Sequence, residues 1–261
     1  MNRTLQRLLA IAASGLLLAG TLGAGSALAA PAAPPRVSDP AAALTGVDRC
    51  APLRVTARAE PTVANLQAVG RCEIDQRLET LAKLQSVVDA STALTDAHEA
   101  ALDAILSSTS SGLRALRTEI EGDTTVDALR EDIRRIFEDF RVYALVARQV
   151  WLVKAADTVV VTAAHFATTA ERLEVAIDQA EANKKDVGDA RKHLASMIAS
   201  VDKAESAADG VASAVLGLTP AAWNAGDAAP TLRKARESVR DARVALREAT
   251  KAARAVLADL R

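Results

Sequence analysis

Aromatic residues are scarce in this chain: Phe, Tyr and Trp together account for only six of its 261 residues. Four of the six lie between residues 136 and 153. No aromatic residue alternates with the basic residues near the C-terminus, so the sequence lacks the stacking surface on which single-stranded nucleic acid binds. The formal charge of the whole chain is only −1. Both features argue against a nucleic-acid partner.

Catalytic signatures are also absent. The three histidines, His98, His165 and His193, form no H-E-x-x-H pattern, and the chain has neither a Gly-rich phosphate loop nor a G-x-S-x-G motif. Asp96, His98 and Glu99 cluster in "DAHEA", but adjacent side chains on a helix diverge by about 100°, so they converge poorly on a metal. We predict no catalytic residue, metal or cofactor, and a hydrolase is only a minor alternative.

The first 29 residues have the three parts of a secretory signal: basic residues at the start, an apolar run, and small residues at the exit. Ala27 and Ala29 supply the A-x-A pattern, which predicts cleavage after Ala29. A membrane anchor is the competing interpretation, but Ser, Gly and Thr interrupt the apolar run and a Pro/Ala stretch follows it. We expect a mature protein that is secreted or held at the cell envelope.

Cysteine is limited to Cys50 and Cys72, which are 22 residues apart. In an exported chain a single pair usually forms a disulfide, and no histidine lies near enough in sequence to complete a metal site. We therefore predict a Cys50–Cys72 bridge. Free, redox-active or intermolecular thiols are the alternatives.

Most of the eight prolines lie in residues 30–61, which show little periodicity and predict a flexible or extended lead-in. From residue 62 to 261, apolar residues recur in steps of three and four, which predicts helices. Alanine at many of these seam positions lets helices approach closely. The predicted fold is all-α: an elongated antiparallel bundle, or coiled-coil-like hairpins, of about five to six helices.

Capping and helix-breaking residues indicate where these helices begin and end. We expect a helix over residues 63–90 and another from Asp96. The run "SSTSSG" at 107–112 is a weak helix interior and predicts a bend or break. Thr124 is expected to cap the next helix. Because no Gly or Pro occurs from 124 to 187, that helix can run for about 60 residues, either continuous or kinked near 147–149.

Three more boundaries follow in the C-terminal part. Asp186 is expected to cap a helix after the corner "EANKKDVGDARK". Thr219, which precedes a proline, predicts a single helical turn in the loop "GLTPAAWNAGDAAPT". The last helix is expected from Thr231 to near the C-terminus.

Four phrases, "ANLQAVGRCEIDQRLETL", "LTDAH", "FRVYALV" and "LTPAAWN", together resemble a group of uncharacterised secreted, Ala-rich helical proteins of high-GC bacteria. The resemblance covers the chain from residue 61 to the C-terminus. It implies a signal peptide followed by a helical domain, and it implies no activity, ligand or catalytic residue.

Basic residues dominate the last predicted helix, which carries nine Lys or Arg against four acids from residue 231 onward. Five of the arginines form one stripe beside the apolar seam: Arg236, Arg240, Arg243, Arg247 and Arg254. Such a stripe usually pairs with acids of a neighbouring helix or keeps the edge of the seam solvated. The alternative is an anionic partner, such as an envelope polymer or a lipid headgroup.

A second unusual feature is an apolar belt at residues 142–153, where ten of twelve residues are apolar. The aromatics Phe137, Phe140, Tyr143 and Trp151 form an ordinary core stripe. The belt adds a second apolar face: Val142, Leu145, Val146, Leu152 and Val153. Three alternatives follow for this second face. The chain itself covers it, the helix kinks and the face changes sides, or the face is an open patch for a partner or lipid. Twelve residues span only about 18 Å, too short for a simple transmembrane helix.

The sequence therefore predicts an exported, non-enzymatic helical bundle with a structural or binding role at the cell envelope or outside the cell. Its partner would be an envelope component or another helical protein. The rival prediction is a membrane-active bundle that binds or inserts into lipid through the apolar belt. Peripheral membrane contact is compatible with both, and we expect no transmembrane span in the mature chain.

Overall fold

The computed structural model describes residues 48–261. The predicted signal peptide, its cleavage site and residues 30–47 of the predicted lead-in lie outside the described residues. Within residues 48–261 the protein is all-α, which confirms the predicted fold class. The helices are α1 Ala51–Ala59, α2 Val63–Asp89, α3 Asp96–Gly122, α4 Val126–Glu138, a π-helical turn Val142–Val146, α5 Ala147–Ala182, α6 Gly188–Ala208, α7 Val211–Leu216, α8 Pro220–Ala225 and α9 Ala228–Asp259.

Threonine begins four of these helices. The hydroxyls of Thr62, Thr95, Thr125 and Thr219 each accept a hydrogen bond from the backbone N–H three residues on, at 3.2–3.3 Å. This is the N-cap interaction that satisfies one of the free donors at a helix start. The cap of α4 is thus Thr125, one residue after the predicted Thr124. The predicted single turn capped by Thr219 is present as α8.

Two predictions about the N-terminal half are wrong. The expected lead-in over residues 30–61 contains a helix, α1, whose Pro52 lies at the start, where proline is tolerated. The expected break at 107–112 is absent because α3 runs through it. There Thr109 bonds back to the carbonyl of Ile105 at 2.7 Å. Gly112 lies so close to the ring of Phe140 that a Cβ would be 2.5 Å from its Cε1, so packing explains this glycine.

The long helix expected after residue 124 is broken at residues 139–141, and not at 147–149. Arg141 adopts a left-handed backbone conformation with φ 43°, and the π-helical turn follows it. Asn224 of α8 bridges the break: its Oδ1 accepts from Arg141 Nε at 2.7 Å, and its Nδ2 donates to the carbonyl of Glu138 at 3.1 Å. The carbonyl at the end of α4 is thereby satisfied from a distant segment.

The buried side chains form two hydrophobic clusters. The main core takes residues from α1 to α4, the π-helical turn, α5 as far as Ala156, α7, and α9 as far as Val239. The three-helix core takes α5 from Val159, α6, and α9 from Ala242 onward. Nine of the 19 buried residues of the three-helix core are alanine, against five of 28 in the main core. Close, alanine-lined contact is therefore a property of the three-helix core.

Candidate anion-binding face

The apolar belt is covered by the chain itself. Val142, Leu145, Val146 and Val153 are each no more than 2% exposed, and Leu152 is partly buried against the main core. Buried Gln149 of α5 donates from Nε2 to the carbonyls of Val215 and Leu218, both at 3.0 Å. These two bonds hold α7 against α5. The hypothesis that these five residues form an open patch for a partner or lipid is therefore wrong for this conformation.

Two aromatics of the stripe, Phe137 and Tyr143, pack against a buried ion pair, and Phe137 is itself 38% exposed, so its expected place in the core is wrong. Arg77 Nη1 donates to Glu73 Oε2 at 2.6 Å, and both side chains are about 95% buried. The Arg77 guanidinium lies 4.4 Å from the ring centroid of Phe137 and 5.3 Å from that of Tyr143. A guanidinium that is stacked and paired in this way is fully engaged within the protein. This cluster holds α2 against α4 and the π-helical turn.

One stretch, Val126–Ala182, is long and apolar enough to cross a membrane, and 39% of its most apolar window is buried inside the protein. Helices in the core of a folded protein can be as long and as apolar as this one. The stretch is interrupted at residues 139–141. The expectation of no transmembrane span in the mature chain therefore stays a prediction.

The Cys50–Cys72 disulfide is present, with Cα atoms 5.7 Å apart. Beside it Asp48, Cys50 and Glu73 form the one group of potential ligands among residues 48–261 whose atoms converge as a metal site requires. The Cys50 sulfur is consumed by the disulfide, and both carboxylates pair with Arg54. The Arg54 guanidinium also holds the pKa of Asp48 below its usual value. The donors of this group therefore already have partners within the chain.

His98, the centre of the "DAHEA" cluster, is turned toward α5. Its Nδ1 lies 2.9 and 3.0 Å from the two carboxylate oxygens of Asp157, which also accepts from the backbone N–H of Thr95 at 3.0 Å. Asp157 is 95% buried. The pair anchors the start of α3 to α5. Local patterns could not predict this contact, because the two residues are 59 positions apart.

The arginine stripe lies along α9, with Arg236, Arg240, Arg247 and Arg254 exposed and Arg243 partly buried. Arg236 has interactions of its own. Arg240 contacts only the adjacent Asp241 of its own helix, at 3.2 Å. Among the described residues, no carboxylate pairs with Arg243, Arg247 or Arg254. For these three, the prediction of pairing with acids of a neighbouring helix is therefore wrong, whereas the exposure of Arg247 and Arg254 fits the other half of that prediction, a solvated edge of the seam.

Arg243 and Arg247 are one turn apart and repel each other. Burial lowers the pKa of Arg243 below its ordinary value, and the positive charge of Arg247 lowers it further. A buried or half-buried cation normally has a partner, because desolvation penalises an isolated charge. Here a partly desolvated guanidinium faces a second cation instead. The arrangement favours any anion that approaches this side of α9.

No protein-family model matches the chain, and neither a curated protein nor a solved structure shows significant similarity to it. The resemblance to secreted Ala-rich proteins thus stays a prediction, and the chemistry of the arginine face has to be argued from this chain alone.

Proposed function

We propose that this protein is an exported, non-enzymatic binding protein that acts at the cell envelope or outside the cell and holds an anionic component there. The observation that carries the proposal is the set of three α9 arginines without an acidic partner among the described residues, Arg243, Arg247 and Arg254. Arg191, in the same three-helix core, has two acidic partners, Asp178 and Glu181. Single exposed cations elsewhere also lack an acidic partner among residues 48–261, but Arg243 and Arg247 differ from them because they lie close enough to repel each other.

Energetics support a binding role over a structural one. Arg243 and Arg247 contribute repulsion and, for Arg243, a desolvation penalty. Neither effect stabilises the fold. An anion bound between them would relieve both, and guanidinium groups bind phosphate and carboxylate with two parallel hydrogen bonds.

Heparin-agarose chromatography of the mature chain, residues 30–261, tests this proposal. We expect retention at low salt and elution as salt screens the charges. A triple variant, Arg243→Ala, Arg247→Ala and Arg254→Ala, should elute at clearly lower salt. The matched control removes three exposed cations that also lack a partner in the described residues: Arg58→Ala, Arg114→Ala and Lys203→Ala. Equal retention of both variants would count against a specific anion-binding face.

A second candidate function is the membrane-active bundle, which one observation favours: the length and hydropathy of Val126–Ala182. Against it, four of the five belt residues are no more than 2% exposed, so lipid insertion requires the main core to open. Flotation with anionic liposomes tests this candidate directly. Protein that stays at the bottom of the gradient excludes it.

A further inference from the structure

The contacts of α6 establish which side of α9 carries the arginines. His193 of α6 places Nδ1 2.8 Å from Oδ2 of Asp259, near the end of α9. At 100° per residue, Arg243, Arg247 and Arg254 lie within about 40° of one another and at least about 120° from Asp259. The arginine face therefore points away from α6 and toward the third helix of this core, α5.

A similar argument identifies the side of α5 that faces α9. Arg191 of α6 pairs with Asp178 and Glu181, which marks the flank of α5 that faces α6. The opposite flank has no acid between residues 158 and 172. By the same helical geometry it carries Thr158, Thr162, His165, Thr169 and Arg172, within about 80°. This composition explains why the arginines of α9 find no acid on the facing flank of α5. We call the space between these two flanks the α5/α9 groove.

The register of the two helices brings one guanidinium of each helix to about the same height. Both α5 and α9 run antiparallel to α6, so they are parallel to each other. Counting back along both helices from the contacts with the first turn of α6 puts His165 at about the height of Arg247, and Arg172 at about that of Arg254. Arg172 is exposed and pairs with no acid among residues 48–261. The groove therefore has a guanidinium on each wall.

Hydroxyl groups complete the α5 wall. The side chains of Thr158, Thr162 and Thr169 each donate to the carbonyl four residues earlier, at 2.7, 2.7 and 2.8 Å. A hydroxyl that donates in this way keeps its lone pairs and adds no charge. The wall is therefore polar but does not neutralise the arginines opposite it.

We propose that the α5/α9 groove binds a linear polyanion with repeated phosphate groups, which lies lengthwise between Arg172 and His165 on one wall and Arg243, Arg247 and Arg254 on the other. The α9 cations extend over eleven residues, or about 16 Å of helix, which suits an extended chain better than a single small anion. Steps of four and seven residues repeat the charge every ~6–11 Å, so groups at intervals along one extended chain can each meet a guanidinium.

The composition of the groove favours such a polymer over a membrane surface. A membrane-binding helix buries bulky apolar or aromatic residues below the headgroups. The exposed large apolar residues of α9 and of the α5 segment opposite it are valines only, Val160, Val161 and Val244. The flank of α5 that faces the arginines carries threonines and His165 in place of bulky apolar residues.

This inference rests on the proposed function, and a titration separates the two. The mature chain is titrated at low salt with long-chain polyphosphate, tripolyphosphate and anionic liposomes. We expect the long chain to bind tightest, and Arg172→Ala to weaken it roughly two- to fivefold, the size of one partly screened ionic contact. Lys203→Ala, which removes an exposed cation of α6, is the control and should leave the affinity unchanged. Circular dichroism checks that each variant is folded.

Each outcome decides between the claims. Loss of affinity in the α9 triple variant with no effect of Arg172→Ala would overturn the groove and leave an anion-binding α9. Equal affinity per phosphate for tripolyphosphate and the long chain would overturn the extended ligand. Binding to liposomes but not to polyphosphate would assign the face to a membrane surface. No binding to any of the three would contradict the proposed function itself.

Discussion

Two arginines of the main core, Arg77 and Arg135, and two of the three-helix core, Arg243 and Arg247, have opposite electrostatic surroundings. In the main core, Arg77 is stacked and paired, and Glu119 and Asp132 both bond Arg135 and raise its pKa. In the three-helix core, Arg243 and Arg247 pair with no acid among residues 48–261, and burial together with the charge of Arg247 lowers the pKa of Arg243. A charge that is paired within the chain stabilises the folded protein. A charge left without a partner at a helix–helix groove is available to another molecule.

The two cores also differ in how they are filled. Large side chains such as Ile74 and Leu84 fill the main core, whereas alanines such as Ala249 and Ala163 line the three-helix core. Thin alanine seams bring the helices close and leave the long arginine side chains at the edge. The region with the smaller core thus presents the candidate binding face, and the region with the larger core provides most of the buried apolar surface.

The largest expected effect on stability comes from creating a cavity in the main core and overpacking the three-helix core. Ile74→Ala empties a fully buried site in the main core and should cost about 2–5 kcal/mol in the free energy of unfolding. Ala249→Leu forces extra atoms into a fully buried seam and should cost about 1–3 kcal/mol. Urea denaturation measures both. Tolerance of leucine at position 249 would mean that the three-helix core is not closely packed.

Loss of the disulfide should have an effect of similar size that is more local. Replacing both Cys50 and Cys72 by serine opens a loop of 22 residues, worth roughly 3 kcal/mol in the chain-entropy model. Hydrogen exchange should then accelerate first in α1, which the bridge and the Arg54 contacts hold against α2. The amides of α6 should keep their protection. Faster exchange in α6 than in α1 would contradict the separation of the two cores.

Local patterns predicted most of this fold. Apolar steps of three and four residues indicated α2, α5, α6 and α9, and hydroxyl residues marked several caps. The disulfide followed from an isolated cysteine pair in a chain with a predicted signal. These features depend on residues close together in sequence, so a single chain is enough to find them.

Several of the missed features depend on distant contacts. The break at 139–141 needs Asn224, some 80 residues away, to satisfy both ends, and no Gly or Pro announces it. Gly112 reads as a helix breaker in sequence, but it makes room for Phe140. The contribution of Arg172 and His165 to the candidate site was also invisible, because periodicity does not reveal which helix packs beside α9.

The smallest expected effect on stability belongs to the arginine face, and it is the most informative. Thermal unfolding of the wild-type chain and of the Arg243→Ala, Arg247→Ala, Arg254→Ala variant, each with and without long-chain polyphosphate, measures folding and binding together. Without ligand, the variant should unfold at the same temperature as the wild type or slightly higher, because it loses repulsion and no ion pair. Polyphosphate should raise the melting temperature of the wild type only, since a ligand stabilises the state it binds. A variant that unfolds at a lower temperature, together with a wild type that does not respond to polyphosphate, would show that these arginines serve the fold.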